Sequence, residues 1–86
     1  MNYRLIIPKP VDKQLDRLAA DVYTRIRSEL DALQENPRPP GSIKLKGFEN
    51  EYRIRVGDYR VRYQIYDDQK IVYLISCKHR KDAYKD

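Results

Sequence analysis

The chain of 86 residues has one cysteine, one histidine, no tryptophan and three glycines, and no apolar run long enough to cross a bilayer. Each scarcity excludes something. Cys77 alone cannot form an internal disulfide, and with His79 as the sole histidine there is no Cys/His cluster of the kind that closes a structural zinc site. The fold is expected to stand on packing, with no metal and no cofactor. Residues 1–7 lack the long apolar stretch and small-residue cleavage site of a signal peptide, and Pro8 follows them. A soluble, cytoplasmic protein without a membrane partner is the expectation. No paired-carboxylate or Ser/His/Asp arrangement stands out either, which argues against hydrolysis of sugars, esters or peptides.

What the chain has in abundance is charge and tyrosine. Charged residues make up 36% of it, the net charge is +5, and there are eight tyrosines. With 41% hydrophobic residues, a length of 86 suits one core and one domain spanning residues 1–86. A basic balance favours an acidic partner such as nucleic acid, an anionic membrane face or an acidic protein segment, and charge alone does not choose among them. The placement of the charge is more telling than its sum, because residues 43–66 hold six Lys/Arg against three Asp/Glu, whereas residues 10–36 are close to balanced.

Residues 2–7 form a short, partly β-branched run stopped by Pro8, which predicts a strand. Val11, Leu15, Leu18, Ala19, Val22, Ile26, Leu30 and Leu33 then recur at three- and four-residue steps, the pattern of an amphipathic helix. Helices in globular domains usually run ~10–14 residues, so the pattern predicts two helices in a hairpin, the second capped by Asp21. The stretch Asn36-Pro37-Arg38-Pro39-Pro40-Gly41 can only be a connector. Residues 52–56, 59–66 and 70–78 read as three strands of a meander, separated by Gly57-Asp58 and by residues 67–69. The expected class is α+β, in the order β-α-α-β-β-β, with the two-helix hairpin on one face of a small, mostly antiparallel four-stranded sheet.

Register can be derived from the first turn. A two-residue loop with glycine first suits a type II′ turn and sets Val56 opposite Tyr59. Counting outward, Arg55 opposes Arg60, Ile54 opposes Val61, Arg53 opposes Arg62 and Tyr52 opposes Tyr63. Alternation then places Tyr52, Ile54, Val56, Val61 and Tyr63 on the core face and four arginines on the other. Like charges directly across a strand pair cost up to roughly 1 kcal/mol each, and nearby Asp58, Glu51 or tyrosine hydroxyls could relieve them. With Lys44 and Lys46 before this hairpin and Lys78, Arg80 and Lys81 after it, the face suits a polyanion whose phosphates lie between guanidinium groups. The last strand is almost wholly apolar at residues 71–75 and is expected inside the sheet. It delivers Ser76-Cys77-Lys78-His79-Arg80 at the sheet rim.

The strings Lys44-Leu45-Lys46-Gly47, Tyr52-Arg53-Ile54-Arg55, Tyr59-Arg60-Val61-Arg62-Tyr63 and His79-Arg80-Lys81-Asp82-Ala83-Tyr84, in this order, resemble the RelE branch of the RelE/ParE toxin superfamily over essentially the whole chain. The resemblance implies the toxin of a type II toxin–antitoxin module, a ribosome-dependent endoribonuclease that cleaves mRNA in the ribosomal A site by metal-independent attack of the 2′-hydroxyl on the phosphate. It implies three partners: the ribosome, mRNA and an acidic, RelB-like antitoxin. Family roles fall on Arg53, Arg55, Arg60, Arg80 and Tyr84. Chemistry is expected from Arg55, Arg60, Arg80, Tyr84 and His79, and binding of RNA or ribosome from Lys44, Lys46, Arg53, Arg62, Lys78 and Lys81.

The family places lysines where this chain has Arg53 and Arg55, one of them thought to act as general base. A guanidinium holds its proton at neutral pH, so Arg55 can bind phosphate but cannot serve that role. That turns attention to His79, the only imidazole, whose other reading is a rim histidine with no chemical part. Tyr84 could stack on a splayed base or simply cover the core. Two other functions compete: a ParE-like toxin that binds a DNA topoisomerase, and an RNA-binding module without catalysis.

Overall fold

Proline sets the first boundary. In the computed structural model, which describes residues 2–83, Arg4–Ile6 forms strand β1, and Pro8 then turns the chain with an extended φ of −64° and ψ of 156°. Helix α1 (Lys9–Asp16) follows, with Pro10 in its first turn, where a missing N–H leaves no carbonyl unpaired. Helix α2 (Ala20–Ala32) starts after Ala19, whose extended backbone breaks the helical run. The break is where the apolar spacing allowed it, but the cap is not the expected one. Ala19 holds the cap position without a side-chain bond, and Asp21 lies in the first helical turn, where its charge complements the helix dipole.

The proline-rich connector leads to a two-residue strand β2 (Ile43–Lys44), then β3 (Glu51–Val56), β4 (Tyr59–Tyr66) and β5 (Ile71–His79), and a single helical turn α3 (Arg80–Ala83). The sheet has five strands in the order β1-β5-β4-β3-β2, with β1 parallel to β5 and the other neighbours antiparallel. The expected four strands thus become five. β2 is too short to show a period in the sequence and exists because the open edge of β3 offers it partners, Ile43 opposite Arg53 and Lys44 opposite Tyr52.

One sheet face is dry. Val11 and Leu15 of α1, with Ile26, Leu30 and Leu33 in and after α2, pack on Ile54, Val56, Val61, Tyr63, Ile65, Val72, Leu74 and Cys77. Each such aliphatic side chain contributes about 1.5–3 kcal/mol on burial, so this layer carries the fold. Tyr63 is fully buried, and its hydroxyl donates to the carbonyl of Pro37 at 2.8 Å, which ties the connector to the middle of the sheet. Among the described residues, no helix is long and apolar enough to cross a membrane.

Candidate nucleic-acid interface

The site begins at the β3–β4 turn. Gly57 has φ +60°, and Lys70 is the only non-glycine residue with positive φ among the described residues, so Gly57-Asp58 has the type II′ signature. A Cβ at Gly57 would stand 3.3 Å from Arg25 Nη1, a further reason for glycine here. The turn produces the pairs Val56–Tyr59, Arg55–Arg60, Ile54–Val61, Arg53–Arg62 and Tyr52–Tyr63, the register derived above.

The two arginine pairs have different surroundings. Arg62 donates through Nη2 to Oε2 of Glu51 at 2.5 Å, and its guanidinium lies over the Phe48 ring, 5.6 Å from the centroid. Glu51 is 6% exposed, so Arg62 is paired with a buried carboxylate. Nearer the turn, Arg55 and Arg60 join Arg80 and Lys81 around an open depression of about 430 Å³, whose wall is completed by Gly57, Asp58 and Tyr59. The Arg80 N–H donates to the Asp58 carbonyl at 2.7 Å, which fixes the start of α3 against the hairpin turn.

A bulge in β5 decides which of its residues join the arginine face. Arg62 lies opposite Ser76 and Tyr63 opposite Leu74, so Ile75 has no opposite residue and the alternation of β5 reverses there. Before the bulge Val72 and Leu74 face the core; after it Cys77 does, opposite Val61. Lys78 therefore falls opposite Arg60 on the cationic face, and His79 falls opposite Tyr59 on the helix side. The His79 ring stands edge-on to Tyr59, with centroids 5.3 Å apart, and its Nδ1 accepts the Lys81 N–H at 3.2 Å. It is not among the residues lining the depression.

The remaining candidates lie elsewhere. Lys44 sits opposite Tyr52 and so shares the core-side parity of that residue at the sheet edge, while Lys46 is exposed in the following loop. Arg53 is on the arginine face, one step from the depression. Tyr84 lies outside the described residues. Asp58, expected only to relieve the arginine pairs, and Tyr59, expected only as the residue opposite Val56, both line the depression, and their position between Arg55 and Arg60 is the signal that places them there.

Burial pushes the Cys77 thiol up to about 11, which keeps it protonated and unreactive in the core, and burial likewise raises the Tyr63 phenol to about 12. The cations around the depression can do two things: bind an anion from several sides, and stabilise charge that develops on it.

A family described as "ParE toxin of type II toxin-antitoxin system, parDE" matches residues 5–84. A candidate toxin named RelE1 in Methanocaldococcus jannaschii is 30% identical over 100% of this chain and 99% of its own length. The mRNA interferase toxin RelE of Escherichia coli K12 is 28% identical over 100% and 94%. The archaeal RelE–RelB complex of Pyrococcus horikoshii contains a chain with a TM-score of 0.84 and 36% identity, covering 93% of this chain and 97% of that one.

Proposed function

Because the chain belongs to the RelE/ParE family of type II toxin–antitoxin toxins, we propose that it is a ribosome-dependent endoribonuclease that cleaves mRNA in the A site. One observation carries the reading: Arg55, Arg60 and Arg80, from two strands and a helical turn, converge with Lys81 on a single depression. A relative named mRNA interferase toxin spans the whole chain.

The chemistry follows from what guanidinium groups can do. The 2′-oxygen attacks the adjacent phosphorus as its proton passes to water, and the bond from phosphorus to the 5′-oxygen breaks as that oxygen takes a proton from water. The products are a 2′,3′-cyclic phosphate and a 5′-hydroxyl. Negative charge accumulates on the phosphorane oxygens, and Arg60 and Arg80 stabilise it as preorganised donors. Arg55 holds the phosphate and takes no proton. The positive charge needed by the transition state is supplied by side chains, so the reaction proceeds without a resident metal. Lys78, Arg53 and Lys81 extend the cationic surface toward the RNA backbone and the ribosome. The same surface suits an antitoxin segment carrying acidic and apolar residues that folds as it binds, and the Pyrococcus horikoshii relative was solved with RelB.

The test is cleavage of ribosome-bound mRNA with analysis of the new ends. Termini bearing a 2′,3′-cyclic or 3′-phosphate are expected, and a 2′-deoxy sugar at the scissile position should abolish cutting. Fragments ending in a 3′-hydroxyl overturn the mechanism. Continued translation with a DNA-damage response in expressing cells would favour the ParE-like reading, and RNA binding without fragments the non-catalytic one.

A further inference from the structure

We infer that His79 is the N-terminal cap of α3, a positioning residue that holds Arg80 and Lys81 at the depression. The first amides of a helix have no partner inside it, and a single turn is nearly all ends. In α3 (Arg80–Ala83) two of these amides are satisfied from outside: the Arg80 N–H by the Asp58 carbonyl at 2.7 Å, and the Lys81 N–H by Nδ1 of His79 at 3.2 Å. His79 directly precedes the first helical residue, and a cap residue accepting from the amide two positions on is the usual N-cap bond. Its ring is held by the edge-on contact with Tyr59, its cross-strand partner.

The bond constrains the imidazole. In this contact Nδ1 acts as the acceptor, so that ring nitrogen is occupied by a backbone amide. The β5 bulge adds a second constraint by setting His79 opposite Tyr59 rather than beside Arg60, and His79 is not among the residues that line the depression. Proton transfer would require a ring nitrogen inside that depression. Capping requires the position His79 holds.

Asparagine and alanine separate the two roles. His79→Asn offers a side-chain carbonyl for the same amide but cannot move a proton, and His79→Ala can do neither. The first measurement is hydrogen exchange of the Lys81 amide in the free protein. Loss of an ordinary cap lowers protection roughly five-fold, so His79→Ala should show that fall while His79→Asn stays within about two-fold of the native chain. The second is single-turnover cleavage, where the cap rests on the reading above and predicts the same order, about five-fold down for alanine and near native for asparagine. A loss of ~10²-fold or more in both variants would assign proton transfer to His79 and overturn the inference. Native Lys81 protection in His79→Ala, or reduced protection with unchanged cleavage, overturns it as well. A native chain that cuts no RNA defeats the proposed function alone, since the exchange of the Lys81 amide still supports or overturns the cap.

Discussion

The two ends of β4 use the same side chain in opposite ways. Beyond Tyr66, Arg38 donates to both oxygens of Asp67 at 3.2 and 2.8 Å and to the Tyr52 hydroxyl at 3.2 Å. The Tyr3 hydroxyl donates to the same Asp67 carboxylate at 2.7 Å. There the guanidinium is a fastener that joins the connector to the first residues of the chain, to β3 and to the β4–β5 turn. At the Tyr59 end Arg55, Arg60 and Arg80 surround an open depression in which Asp58 is the one lining carboxylate. The difference lies in where the acids are placed. A cation beside a well-positioned acid holds the fold together, while four cations lining one depression with a single carboxylate leave an excess of positive charge that suits an anion from outside.

The largest effect that would sharpen this contrast is expected at Arg80. Removing one preorganised donor to a developing oxyanion costs about 10²–10³ in rate, so Arg80→Ala should lose that much in single-turnover cleavage of ribosome-bound mRNA. Its side chain is exposed, and the thermal midpoint should hardly change. An equal loss of cleavage in Arg38→Ala, at the other end of the sheet, would break the comparison.

Arg62 should behave in the reverse manner. Breaking a buried ion pair costs ~3–5 kcal/mol, and because a third of the Arg62 side chain is exposed (33%), Arg62→Ala should lose roughly 2–3 kcal/mol in urea unfolding. Cleavage per folded molecule should stay near native. A stable Arg62→Ala protein that fails to cut RNA would move this residue from scaffold to site.

The smallest effect is a pH dependence at the fastened end. Hydrogen bonds from Arg38, and then from Tyr3, hold the Asp67 carboxyl down at about 2, below the ordinary value of ~3.9. A carboxylate depressed on folding contributes stability that is complete above its unfolded value and is lost as pH falls through its folded value. Native protein should therefore weaken as pH drops from about 4 toward 2, and Asp67→Asn should show a shallower acid limb in urea titrations over that window. Coincident acid limbs for the two proteins would remove the Arg38–Asp67 pair from the stability of that end.

Much of this was legible in the residues. The two-residue turn at Gly57-Asp58 sets the hairpin register, because alternation is strict once one pair is known, and the opposition of Arg55 to Arg60 follows by counting. The helix break and the interior position of β5 follow from apolar spacing and from a run without polar faces. Other features depend on contacts between distant segments, which no local pattern encodes. β2 is two residues long and forms against the edge of β3, so no period announces it. The Glu51 that neutralises Arg62 opens β3, while Glu49, two residues earlier, lies exposed in the preceding loop, and no local pattern marks where the strand begins.

Short-range spacing and an ordered set of strings were enough for the fold class, the basic hairpin with its pairing, and the family to which the chain belongs. The tertiary structure alone decided which cations meet. The bulge at Ile75 falls between the Arg62–Ser76 and Tyr63–Leu74 pairs, and the reversal it causes sends Lys78 to the arginine face and His79 to the side of Tyr59. Arg80 and Lys81 reach Arg55 and Arg60 because the turn carbonyl of Asp58 accepts the Arg80 amide across 22 residues of chain, a closure that only the assembled sheet can make.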